Sequence, residues 1–294
     1  MNASDAFFWS VEFGELTLRV ADLARVATFY EQQLGFRRID QSDGTVRLSP
    51  TGGEPALLVL EHAPAAAERQ RGTAGLFHVA FLYPTRASLG HVLHRLLEGG
   101  VRMGASDHGV SEALYLTDPE GNGLELYVDR PVGEWPASAA DGQVAMFTEA
   151  LDGASLLAAV APSTGPLLPP DTRIGHIHLS VSSLDRAEDF YKTLLGFPVR
   201  QRDYPGARFF GRDGYHHHLG TNTWQTRAPA APGALGLVRF TVRFTVERDH
   251  QHVVNLAGDL KRLTSQSGNR AVLADYDGLE VVAEGANREV GVGA

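Results

Sequence analysis

The 294-residue sequence contains no cysteine. Disulfides, thiolate metal ligands and cysteine nucleophiles are therefore excluded outright. It has no apolar run near the length needed to span a bilayer, and its opening stretch MNASDAFFWS lacks the basic start and long apolar core of a secretory signal. Basic runs are missing as well, and the formal net charge of −9 argues against nucleic acid or any other phosphate-backbone partner. What remains is ordinary globular composition, 43% apolar and 21% charged, in a chain long enough for two domains with their own cores. The expectation is a cytoplasmic protein that acts on a small molecule. Its twelve histidines are the main candidates for metal or proton chemistry.

Three of them stand together, His216, His217 and His218, in GYHHHLG at 214–220. The stretch is internal, whereas a purification tag sits at a terminus and runs longer. If it is a β-strand, neighbouring side chains point to opposite faces, so three consecutive imidazoles cannot converge on one ion.

The chain also repeats itself. GELTLRVADLARVATFYEQQLGF at 14–36 aligns without a gap with GHIHLSVSSLDRAEDFYKTLLGF at 175–197, an offset of 161 residues. The matches fall on structural positions: Leu18/Leu179, Val20/Val181, Leu23/Leu184, Phe29-Tyr30/Phe190-Tyr191 and Leu34-Gly35-Phe36/Leu195-Gly196-Phe197. Alternation in LTLRV and IHLSV predicts strands, and the stretches that follow predict helices closed by a glycine. The same offset relates GLFHVAFLYP at 75–84 to GLVRFTVRFT at 236–245, and each half ends in a related turn and strand, DPEGNGLELYVD at 118–129 and DYDGLEVVAE at 275–284. The predicted organisation is an N-terminal half, 1–130, with units near 12–62 and 75–130, and a C-terminal half, 173–284, with units near 173–225 and 235–284. A linker at 131–172, rich in Ala, Pro and Gly, joins them with a short helix near ASLLAAV, and 285–294 forms a loose tail.

This phrasing resembles the vicinal oxygen chelate (glyoxalase/bleomycin resistance/extradiol dioxygenase) superfamily, with DLxxxxxFYxxxLGF and DPEGNGLELY as family wording over nearly the whole chain. GLFHVAFLYP, DHGVSEALYLTDPEGNGLELYVDRP, IGHIHLSVSSL and GYHHHLGTNTW together look like the CatE-type catechol 2,3-dioxygenases. The resemblance implies an α+β fold of four βαβββ modules forming two paired, curled mixed sheets around a metal centre. It implies that ligands come from the first strand of a module, usually His, and its last strand, usually Glu. Those slots hold Glu15 in module 1, His78 and Glu125 in module 2, His176 in module 3, and Arg239 and Glu280 in module 4.

Which slots meet depends on which modules pair. Modules 3 and 4 would set His176 beside Arg239 and Glu280, and a cation there disfavours a divalent metal. Modules 1 and 2 offer Glu15, His78 and Glu125, with one imidazole only. Modules 2 and 3 offer His78, His176 and Glu125, a 2-His-1-carboxylate facial triad of the kind that holds non-haem Fe(II) with open positions, and this is the expected site. Mn(II) suits the same ligands. Singly, a strand histidine is more often a hydrogen-bonded core residue, and Glu125 could pair with an arginine; three matching slots in two repeats weigh for the metal.

The resemblance further implies an imidazole that moves protons on and off the substrate, work suited to a pKa near neutral, assigned by alignment to His217. His216 and His218 would then face away; a one-residue slip of register would exchange them. His108 and Tyr115 in DHGVSEALYL are the expected hydrogen-bonding partners of the substrate. His178 lies two residues beyond His176 and either lines the pocket or packs elsewhere, and Trp224 and Tyr215 either wall a pocket or belong to the core. The leading expectation is extradiol cleavage of a small aromatic diol by O2 in aromatic-compound catabolism. The alternatives are a glyoxalase-type metal-dependent isomerase or lyase, and a metal-free drug-sequestering binder. Homodimers are common among such folds, though no residue pattern here specifies one.

Overall fold

The strand–helix–strands phrase occurs four times in the computed structural model, which describes residues 10–42, 44–137, 143–160 and 168–286. The opening residues 1–9, and 287–294 of the expected tail, lie outside the described residues. Module 1 comprises β1 (Val11–Val20), α1 (Leu23–Leu34), β2 (Arg37–Ser42), β3 (Thr45–Ser49) and β4 (Leu58–His62). Module 2 comprises β5 (Gly75–Leu82), α2 (Arg86–Glu98), β6 (Gly104–Asp107), β7 (Ser111–Thr117) and β8 (Gly123–Asp129). The connection that follows contributes β9 (Glu149–Ala150) and α3 (Gly153–Ala158), the short helix expected near ASLLAAV. Module 3 comprises β10 (Arg173–Ser180), α4 (Leu184–Glu188), β11 (Val199–Gln201), β12 (Ala207–Phe210) and β13 (Leu219–Asn222). Module 4 comprises β14 (Gly236–Phe244), α5 (Glu247–Asp259), β15 (Leu263–Ser267), β16 (Arg270–Ala274) and β17 (Glu280–Gly285).

Local chemistry sets the helix ends. The Asp22 carboxylate accepts the Arg25 N–H at the start of α1, and Thr85 and Ser88 form a reciprocal capping box on α2. The closing glycine of the FYxxxLGF phrase has the expected left-handed backbone in both repeats, φ 83° at Gly35 and 75° at Gly196. The third module departs from a single regular helix. After α4 the chain widens into a π-helical turn over Asp189–Leu194, which buries Phe190, Tyr191 and Leu194.

The modules pair outer with outer and inner with inner. An eight-stranded sheet runs β15-β16-β17-β14-β1-β4-β3-β2, and a nine-stranded sheet runs β11-β12-β13-β10-β5-β8-β7-β6-β9. At each seam the two first strands lie antiparallel, β1 on β14 and β5 on β10, while first and last strands within a module run parallel. One continuous apolar core links both sheets with the helices, including Leu16, Tyr30 and Phe240 from the outer modules and Val79, Phe81 and Ile177 from the inner ones. Matching interlocks hold each half together. The Glu120 carboxylate accepts the N–H groups of Ala21 and Asp22 at 2.7–3.0 Å, and Asp277 accepts the N–H of Ser182, the counterpart of Ala21, at 2.7 Å.

Candidate metal centre

Register decides which side chains share a face. Across β10, β5, β8 and β7 one row reads His176, Ala80, Glu125, Tyr115, each directly opposite the next. The neighbouring row reads Gly220, His178, His78 across β13, β10 and β5. Residues opposite one another across a ladder project to the same side of the sheet, so the two rows place three histidines, a glutamate and a tyrosine on one face. Gly220 makes room for this. A Cβ there would sit 2.9 Å from Cγ of His178.

His78, Glu125 and His176 converge. Their ligand atoms all lie within 4.8 Å of one another and all three residues are buried. Nε2 of His176 is 2.9 Å and Nε2 of His78 is 3.0 Å from the same carboxylate oxygen, Oε2 of Glu125. Despite that distance, Nε2 of His78 forms no hydrogen bond. Two donors on neighbouring corners of an octahedron with bonds of about 2.1 Å lie about 3 Å apart, so the spacing and the unsatisfied nitrogen both fit a shared divalent ion.

The triad forms one side of a cavity of about 280 Å3. His217 reaches it with its ring centroid 4.2 Å from that of His176. At the other end, Tyr115 and Nε2 of His108 are joined by a 2.7 Å hydrogen bond, and Nδ1 of His108 donates to the Phe147 carbonyl at 2.7 Å. A carbonyl only accepts, which puts the proton of neutral His108 on Nδ1 and makes Tyr115 the donor to Nε2. Aromatic rings close the remaining wall: Phe77 lies 4.9 Å from His178 and 5.3 Å from Trp224, and Phe209 lies 5.0 Å from His217.

The chain matches the Glyoxalase/Bleomycin resistance protein/Dioxygenase superfamily over residues 12–126 and 173–281. It belongs to that superfamily. The superfamily member is 41% identical over 250 residues to a catechol-2,3-dioxygenase of Bacillus subtilis (strain 168), covering 83% of this chain and 86% of the relative. A biphenyl-2,3-diol 1,2-dioxygenase 3 of Rhodococcus globerulus is 40% identical over 63 residues, 21% of this chain and 33% of the relative. Glyoxalase I from Zea mays superposes with a TM-score of 0.57 at 17% identity, covering 94% of this chain and 92% of that one, a likeness that shows the fold alone.

The environment of this superfamily member's cluster sets its charge states. Burial alone would raise the Glu125 carboxyl, but His176 and His78 beside it hold it well below the usual carboxylate range. Burial lowers His176 and, more strongly, His178 and His217, so these rings are neutral near pH 7. A neutral imidazole is the form that binds a metal or takes a proton. Burial, with Glu125 nearby, pushes the Tyr115 hydroxyl up, which keeps it a hydrogen-bond donor.

Several expectations change in detail. The three histidines do not lie in a strand. Asp213 and Gly214, with φ 55° and 80°, turn the chain, and the run forms an irregular approach to β13. The rings still diverge: His217 faces the cavity, His216 contacts Asp129, and Nδ1 of His218 accepts the Arg212 N–H beside Phe13 and Phe197. Trp224 lines the cavity mouth, whereas Tyr215 lies behind it and donates to Asp129. Glu280 stands opposite Arg239, the counterpart of His78, whereas Glu125 stands opposite Ala80, so the two glutamates are one strand period apart in their sheets. The stretch read only as linker brings Met146, Phe147 and Thr148 over the cavity, and β9 pairs with β6. No motif in MFTEA at 146–150, or in the alanine-containing PASAADGQVA before it, set this stretch apart from the rest of the connection.

Proposed function

We propose that this protein is an extradiol, catechol 2,3-type dioxygenase in which His78, His176 and Glu125 hold Fe(II). The observation that carries the reading is the buried triad, with two imidazole nitrogens about 3 Å from one carboxylate oxygen, opening onto a cavity rimmed by His217, His108 and Tyr115. His78, His176 and Glu125 would hold the ion, and Fe(II) there would supply open positions for the oxygens of a catechol and for O2; Mn(II) suits the same donors. The other steps belong to the chain. Neutral His217 takes a proton from a substrate hydroxyl, general base catalysis of the kind worth about 10²–10⁴-fold. The Tyr115–His108 pair, whose own protons are committed to Nε2 of His108 and to the Phe147 carbonyl, leaves the Tyr115 hydroxyl oxygen to accept from a substrate hydroxyl at the opposite end. Phe77, Phe209 and Trp224 flank the ring and keep water from it. A cavity of about 280 Å3 is at the small end for ligand pockets, which favours a single-ring diol.

The test is anaerobic reconstitution with Fe(II), then air and catechol, following the yellow ring-fission product in wild type and in His176→Ala. Colour in wild type alone is expected. A metal-free binder would purify without metal and keep its ligand affinity in His78→Ala. Bound metal with no ring fission of any catechol would move the reading to another reaction of the superfamily.

A further inference from the structure

His216 is fully buried, lines no part of the cavity and still spends both ring nitrogens on hydrogen bonds. Nε2 is 2.9 Å from Oδ1 of Asp129, and Nδ1 is 2.8 Å from Nδ1 of His217. The carboxylate also accepts the Tyr215 hydroxyl, 3.0 Å from each oxygen, and that hydroxyl in turn accepts from Tyr127 at 2.8 Å. The directions follow one after another. A carboxylate only accepts, so the proton of neutral His216 is on Nε2. Nδ1 of His216 is then a lone pair, and the 2.8 Å contact forms only if Nδ1 of His217 donates. Nδ1 of His217 therefore carries the proton, and Nε2 is left as the lone pair of a ring that lines the cavity.

We propose that Asp129 and His216 are positioning residues that fix His217 in the tautomer with an open Nε2. The proposal rests on the reading of His217 as the base. The opposite tautomer would present an N–H and could take no proton from a substrate hydroxyl. Trp135 covers the pair with its ring 5.2 Å from His216, so the chain of hydrogen bonds is shielded up to the partly exposed carboxylate of Asp129.

The test is the tautomer itself, read by long-range 1H–15N NMR on 15N-histidine-labelled, metal-free protein. In wild type, Nδ1 of His217 is protonated and Nε2 is not. In Asp129→Asn the amide can donate to Nε2 of His216, which reverses both rings and moves the His217 proton to Nε2. In the Fe(II)-reconstituted enzyme the same variant loses about 10- to 100-fold in kcat for catechol with KM little changed, and Asp129→Glu recovers part of both signals. His216→Phe, which removes the partner without offering a donor, leaves His217 with a mixture of tautomers. An Nε2-protonated His217 in wild type, or an unchanged His217 signal in Asp129→Asn, would overturn the proposal. A tautomer that reverses as described in a protein that cleaves no catechol would support the positioning and remove the dioxygenase reading instead.

Discussion

At the inner seam, β5 and β10 bring together His78, Ala80, His176 and His178; at the outer seam, β14 and β1 place Arg239, Thr241, Glu15 and Thr17 at the corresponding positions. The backbone register is the same at both, since His78 faces His178 as Arg239 faces Thr17. What differs is where the side chains go. Inner imidazoles converge on Glu125. Outer charges diverge: Arg239 reaches Glu61 at 2.8 Å, Glu15 is held by Arg270 at 3.3 Å, and Arg270 and Arg243 share Glu284. Thr17 and Thr241 fill the middle of the outer seam with hydroxyls that find no hydrogen-bond partner. A duplicated fold thus carries one place for an ion and one place where neutralised charges occupy the same geometry.

The comparison breaks most visibly at Glu125. A buried carboxylate between two buried imidazoles is costly without an ion to share, so metal should stabilise the protein markedly. Anaerobic Fe(II) or Mn(II) at about 100 times Kd should add about 2.7 kcal/mol, raising Tm by roughly 5 °C. In Glu125→Ala that rise and the turnover should both vanish, as followed by thermal melts and metal analysis. Equal metal-induced stabilisation in the variant would place the ion elsewhere.

Two glycines give a smaller, matched contrast. A Cβ on Gly220 meets the His178 ring at 2.9 Å, and one on Gly14 meets Cβ and Cγ2 of Thr241 at 3.0 Å. Both alanine variants should lose about 1–3 kcal/mol by overpacking. Only Gly220→Ala should also raise KM for catechol, because its strain falls on a ring that lines the cavity. A comparable KM change in Gly14→Ala would contradict the division of labour between the sheets.

The cluster proposed to hold the metal was legible because His78, His176 and Glu125 lie in regular strands, where two-residue periodicity fixes the face. His217 was reached by the same alignment, although the local turn at Asp213-Gly214 makes its backbone irregular. Asp129 was out of reach. It meets His216 across 87 residues, and nothing local distinguishes it from any aspartate that ends a strand. Phe147 is similar: it helps form the site through its backbone carbonyl, which every residue possesses. Pairing of inner with inner modules was expected only because it gathers His78, His176 and Glu125; strand pattern does not choose it, since every module begins with an equivalent strand.

The smallest effects belong to the outer seam. Arg239 and Glu61 are about one-third exposed, so water screens their ion pair, and Arg239→Ala should cost less than about 1 kcal/mol with no change in bound metal. The sharper variant is Arg239→His, which supplies an imidazole at the counterpart of His78. It should gain no second equivalent of metal. Glu15, the counterpart of His176, is committed to Arg270, and Glu280 stands opposite residue 239 itself, one strand period away from the place that Glu125 takes relative to His78. One imidazole without a converging partner does not make a site. Metal analysis of the reconstituted variant decides this: two equivalents would mean that a single cation had been enough to keep the outer seam empty, and one would mean that the ligand set itself has been dispersed.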